Sequence, residues 1–111
     1  MVFNKSTLDL EEAAQGFAAI GSEARLQVVL TLVRAGKNGL SVGEIQSRTG
    51  MAASTLAHHL RFLASASLIE QEKISRTVIS RANFDRLGIL GDYIMRQCCA
   101  DAAKTYGERH E

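Results

Sequence analysis

Between Leu40 and Ser65 the chain carries a punctuation that few folds accommodate. Ser41-Val42-Gly43-Glu44 forms a capping box. The Ser hydroxyl can accept from a free N–H at a helix start, and the Glu can reach back to the cap's own N–H. The helix it opens is short, about Val42 to Arg48, because Thr49-Gly50-Met51 breaks it. A second helix is predicted from about Ala53 to Ser65, with Leu56, Leu60 and Leu63 spaced to line one buried face. Two short helices joined by a glycine-containing turn are the signature of a helix-turn-helix.

The flanking sequence places that motif in a mainly helical domain. No proline occurs in 111 residues, where average usage predicts about five, so a loop-rich sandwich is disfavoured. With 46% hydrophobic and only 5% aromatic residues, the core must be aliphatic. Leu10, Ala13, Ala14, Phe17 and Ile20 give a first helix from about Ser6 to Ile20. Ser22 caps a second to about Ala35, with Leu26, Val29, Leu30 and Val33 as its expected buried face. Gly36 and Gly39 bracket a turn. After Leu68 the pattern becomes strand-like, notably β-branched Thr77-Val78-Ile79, and a hairpin is predicted over about 68–82, turning near Ile74-Ser75. A last helix is expected from Asn83 to about Thr105, carrying Leu87, Leu90, Ile94, Cys98 and Ala102 as a narrow stripe, weakened early by Gly88 and Gly91 and ended by Gly107. The fold expected is mainly α with a small β-hairpin wing, a dimeric winged helix-turn-helix. One domain over residues 1–111 holds it, with N- and C-terminal helices that pair across a two-fold axis. Ordinary intrachain packing is the other use for their apolar stripes.

Net charge is only +1, but it is unevenly spread. Residues 25–86 hold nine basic residues against Glu44, Glu70, Glu72 and Asp85, while both ends are mildly acidic. No acidic residue occurs between Gln46 and Ala66. A local basic surface of this kind suits phosphate, because binding releases condensed counterions. The second helix of a helix-turn-helix enters the major groove N-terminus first. Here that end offers Ala53, Ser54, Thr55, Ala57 and His58, with His59 and Arg61 further along. Hydroxyls can meet base edges or phosphates, and Ala can touch a thymine methyl. Lys73 and Arg76 flank the hairpin tip, where they could reach the backbone; Arg81 is a weaker candidate. Glu70 and Glu72 would oppose that approach unless they are paired or face away. The expected partners are double-stranded operator DNA and a second copy of the chain. The alternative is a helix with small polar residues simply facing solvent, or a winged helix that binds protein.

These residues resemble the ArsR/SmtB family of small dimeric winged-helix repressors, over roughly Ala18 to Cys99. Ile20-Gly21-Ser22-Glu23-Ala24-Arg25-Leu26 looks like the family's "lgdptRl" start to its second helix. Leu40 to Ile45 is similar to "lsVgEL", Ser54 to Leu63 to "stvSrHLkvL", Ala66 to Ile69 to "AGLV", and Lys73 to Arg76 to the "ReGR" wing turn. Ala57 stands where a Ser is common, and Ser67 and Ser75 stand where Gly is usual. The resemblance implies a homodimer that binds a palindromic operator as a repressor and lets go when an inducer arrives.

The family's metal sites do not carry over, since no Cys occurs near Val42-Gly43 and no His lies on the last helix before His110. What remains is Cys98-Cys99. Some arsenic-sensing relatives resemble this pair but have a third Cys where Thr105 stands. Two soft thiolates could hold trivalent arsenic or antimony, or an organoarsenical. A thiol redox switch and apolar filling of the dimer helix compete with that reading. No cofactor is expected to be required. An enzyme is not expected, for want of a Gly-rich phosphate loop, an HExxH or a supported triad. The absence of a long apolar run or a signal-peptide pattern places the protein in the cytoplasm by expectation.

Overall fold

The computed structural model describes residues 7–98 and 100–101. Among them run α1 (Leu10–Ile20), α2 (Glu23–Ala35), β1 (Leu40–Ser41), α3 (Val42–Thr49), α4 (Ala53–Ser65), β2 (Ile69–Ile74), β3 (Thr77–Ala82) and α5 (Phe84–Tyr93). Short 3₁₀ turns occupy Gly36–Asn38 and Met95–Gln97. Four of these helices, α1, α2, α3 and α5, begin where a short polar side chain accepts from a first-turn N–H. Asp9 takes Glu12 at 2.7 Å, Ser22 takes Arg25 at 3.1 Å, and Ser41 and Asn83 take Glu44 and Arg86, each at 3.2 Å. The Asp9 capping box starts α1 at Leu10, later than the expected Ser6, while the Ser41 box opens α3 as its spacing predicts.

The core is aliphatic, as composition requires. Val28, Leu32, Ile45, Leu56, Leu63, Leu68, Ile69 and Leu90 are all nearly or wholly buried. The expected inner face of α2 needs correction. Val28, Val29 and Leu32 point inward, whereas Leu26, Leu30 and Val33 stay about 40% exposed. Two apolar stripes lie side by side on this helix, and packing against α3, α4 and β3 selects the one that includes Val28. Gly16 lets α1 lie close to α5, since a Cβ there would stand 2.9 Å from Leu90 Cδ2.

β3 is the middle strand, paired antiparallel to β2 from Ile69↔Ala82 to Ile74↔Thr77, and to β1 at Leu40↔Ser80 and Ser41↔Ile79. The hairpin matches the expected one, with its loop at Ser75-Arg76, one residue later than predicted. β1 is an addition that the sequence did not suggest.

The long final helix is not continuous. α5 stops at Tyr93, the next turn tightens with Gln97 N–H donating to Ile94 O and Cys98 N–H to Met95 O, and Cys98 is extended (φ −56°, ψ 123°). Its expected stripe is therefore broken. Leu90 is buried, but Ile94 (63% exposed) and Cys98 face outward; Cys99, Ala102, Thr105 and Gly107 lie outside the described residues. Leu10 (74%) and Met95 (63%) are also left exposed. Among the described residues no single helix is long and apolar enough to cross a membrane.

Two serines hold backbone positions that suit glycine. α4 ends with Leu68 N–H donating to Leu63 O and Ser67 N–H to Ala64 O, a Schellman closure whose left-handed residue is Ser67 (φ +64°). Ser75, at the hairpin loop, has φ +56°. A side chain in this region costs roughly 1–2 kcal/mol, partly offset by the chain entropy that glycine loses on folding. Ser67→Gly and Ser75→Gly are each expected to stabilise the fold by ~0.5–1 kcal/mol. Denaturant unfolding checks this; a lower midpoint in either variant counts against the strain.

Candidate nucleic-acid interface

The angle between α3 and α4 is fixed by their short turn. Gly50, in the left-handed region (φ +76°, ψ 8°), donates to Gln46 O at 2.7 Å. The Thr49 hydroxyl donates to Ile45 O at 2.8 Å and accepts from Met51 N–H at 3.2 Å, while Gln46 Nε2 reaches Met51 O at 3.3 Å. With Leu56, Leu60 and Leu63 anchored in the core, the opposite side of α4 is presented to solvent. Ala53, Ser54, Thr55, Ala57, His58 and Arg61 are all exposed there.

α4 also differs from the other helices at its start. Asp9, Ser22, Ser41 and Asn83 cap the others, but α4 has Ala52, with no side-chain cap and no acidic residue in its first turn. Its first-turn N–H groups and the positive end of its dipole are thus open to an external anion. Ala at a cap position is a signal readable in the sequence, though sequence reasoning passed over it.

His59 behaves differently from its neighbours. It is half-buried, and its Nδ1 is enclosed without a hydrogen-bond partner. Burial holds its pKa below the ordinary histidine value, with the nearby charges of Arg25 and His58 acting in the same direction. That direction favours the neutral ring, which can offer a hydrogen bond, over the charged one.

In the wing, strand alternation sorts the charges. Lys73 shares the face of Val78, Gln71 and Ser80, with Gln71 Nε2 donating to the buried Ser80 Oγ at 3.1 Å. Glu70, Glu72 and Arg81 lie on the other face. Arg81 is committed there, at 2.7 Å from Glu72 and donating from Nε to Lys37 O at 3.0 Å. Glu72 is thus paired and directed away from Lys73, as the sequence requires of a wing that approaches an anion, while Arg81 serves the sheet. Lys73 and Arg76 are exposed toward the tip. Among the described residues no group of three His, Cys, Asp or Glu is placed to hold a metal ion.

Residues 20–72 match the family model described as a helix-turn-helix domain. The transcriptional activator HlyU of Vibrio cholerae is 31% identical over 81 residues, covering 73% of this chain and 72% of HlyU. The chain belongs to the helix-turn-helix transcriptional regulators. YceK, an uncharacterized HTH-type transcriptional regulator of Bacillus subtilis, is 38% identical over 64 residues, or 58% of this chain; the match spans 63% of YceK. In fold the chain is similar to an ArsR-like transcriptional regulator from Rhodococcus sp. RHA1 (TM-score 0.74, 23% identity, 89% and 91% of the two chains). It is also similar to a homodimeric winged helix-turn-helix DNA-binding domain from Mycobacterium bovis (TM-score 0.63, 24% identity, 92% and 86%). The two serines at positive φ, Ser67 and Ser75, occupy the turn positions where the resemblance noted in the sequence expects glycine.

Proposed function

We propose that the chain is a homodimeric, sequence-specific DNA-binding repressor, one winged helix-turn-helix domain over residues 1–111, released from its operator by a thiol-reactive inducer. The observation that carries the DNA reading is the side of α4 turned to solvent: small, hydroxyl-bearing and basic, free of acid, and opened by an uncapped helix end. Ser54, Thr55, Ala53 and Ala57 would meet base edges, with His59 offering a neutral donor. His58, Arg61, Lys73 and Arg76 would hold phosphates. Exposed Leu10, Ile94 and Met95 supply an apolar surface for a second copy, in keeping with the homodimeric M. bovis domain. The test is electrophoretic retardation of the promoter DNA beside the chain's own gene over a salt series. Arg61, Lys73 and Arg76 from two protomers give about six phosphate contacts, so a log–log salt slope near −5 is expected. Retardation of no DNA at any salt would identify a protein-binding module instead.

The inducer reading rests on Cys98, exposed beyond the last turn, and its neighbour Cys99. Arsenous acid would lose two hydroxides as water as two thiols give up their protons and form two S–As bonds, leaving one hydroxide on arsenic. Trivalent antimony and organoarsenicals would react alike. Exposure of Cys98 disfavours its use as a filler of the protomer's own core. A double variant, Cys98→Ser with Cys99→Ser, should bind DNA like the parent and ignore arsenite or methylarsenite. Release of that variant by either reagent at the parent's concentration disproves the sensor.

A further inference from the structure

Arg25 joins three helices with one side chain. It is the third residue of α2, with its own N–H held by the Ser22 cap at 3.1 Å. Its Nε donates to Ala19 O, and its Nη2 donates to Ala18 O at 3.3 Å. Those carbonyls belong to the last turn of α1, which has no basic residue of its own. A cation there satisfies helix-end acceptors and meets the negative end of the α1 dipole. The same guanidinium lies over the Phe62 ring of α4, 4.3 Å from its centroid. Phe62 is 40% exposed and lies outside the buried core, with the Arg25 cation set on its face. One turn earlier on α4 sits His59, whose ring feels the Arg25 charge.

We infer that Arg25 is the positioning residue that couples the dimer helix α1 to the DNA-reading helix α4, setting the angle at which the two reading helices of a dimer are held. This rests on the regulator reading above. Two reading helices on one duplex must match its groove spacing, so a small rotation of α4 against α1 is felt in affinity though Arg25 touches no DNA. A planar guanidinium spreads its donors over two carbonyls while its face stacks on the ring; a Lys ammonium is a point charge with no such face.

The experiment compares the full-length parent with Arg25→Met, which keeps much of the stem but removes the fork and the charge. Sedimentation reports the dimer, retardation of the promoter DNA over a salt series reports affinity and slope, and imidazole NMR reports His59. Arg25→Met should leave the dimer intact, weaken promoter binding about tenfold or more, leave the salt slope unchanged, and let the His59 pKa rise. Arg25→Lys should restore the charge felt by His59 but not the affinity. If Arg25→Met fails to fold, Phe62→Leu takes its place: it spares the bonds to α1 and should weaken promoter binding in the same way, again without changing the slope. Unchanged affinity overturns the coupling, as does a dimer that falls apart. So does a slope shallower by about two, which would make Arg25 a phosphate ligand in each protomer. A parent that binds no DNA overturns the regulator reading and the coupling with it, whereas a parent that binds normally isolates the fault to Arg25.

Discussion

Gly39→Ala is expected to be the most damaging single-methyl change in the protein, lowering stability by about 3 kcal/mol or more. Gly39 has φ +72° and ψ −171°, a region essentially closed to residues with a Cβ. The added Cβ would also stand 2.5 Å from Ser80 O and 2.6 Å from Arg81 Cγ. Neither neighbour can retreat cheaply. Ser80 O belongs to the central strand, and the Arg81 stem is pinned by bonds to Glu72 and Lys37. Damage would spread into the helix-turn-helix, because Ser41 both ends β1 and caps α3. Gly36→Ala supplies the control. Its backbone lies in the same region (φ +77°, ψ −159°), but nothing stands within 4 Å of the added atom. It should cost only the backbone strain, and the difference between the two in thermal or urea unfolding isolates the collision with β3. Equal losses would mean that the close approach to β3 is not what requires glycine at 39.

The helix-turn-helix was legible because its signals are local. A capping box, a glycine break and leucines at helical spacing each act within a few residues, and they agree. The wing was legible for the same reason, down to the need for Glu70 and Glu72 to turn away. What stayed hidden depends on partners distant in the chain. β1 is two residues long and exists only because β3 runs beside it. The inward face of α2 could not be chosen from its own pattern, since both stripes are apolar and only the neighbouring elements decide between them. α5 ends early although its apolar spacing continues: Ile94 and Met95 are each 63% exposed, so burial among the described residues does little to hold a further turn. Arg25 looks in sequence like one more surface base. Its three-helix contact is invisible until α1 and α4 are brought to either side of it.

Thr55→Glu should abolish specific retardation of promoter DNA, by about a hundredfold or more in affinity, while leaving the protein as stable as the parent or slightly more so. The two effects have opposite signs for one physical reason. The first turn of α4 is the positive end of a helix dipole with no capping side chain, so a carboxylate there is locally favourable by roughly 0.3–1 kcal/mol. Thr55 is exposed and no core contact is lost. Against DNA the same carboxylate occupies the position proposed to approach bases and phosphates, where like charge costs several kcal/mol. The dimer would suffer this at both half-sites. Because Glu improves the helix end, lost binding cannot be blamed on an unfolded reading helix, which makes the substitution more decisive than one to alanine. Lys73→Ala and Arg76→Ala should behave differently, weakening specific and non-specific DNA alike and flattening the salt slope by about one for each contact removed. If the Thr55→Glu dimer retards its promoter as well as the parent does, α4 does not face the duplex. The DNA-binding surface must then lie on another part of the molecule.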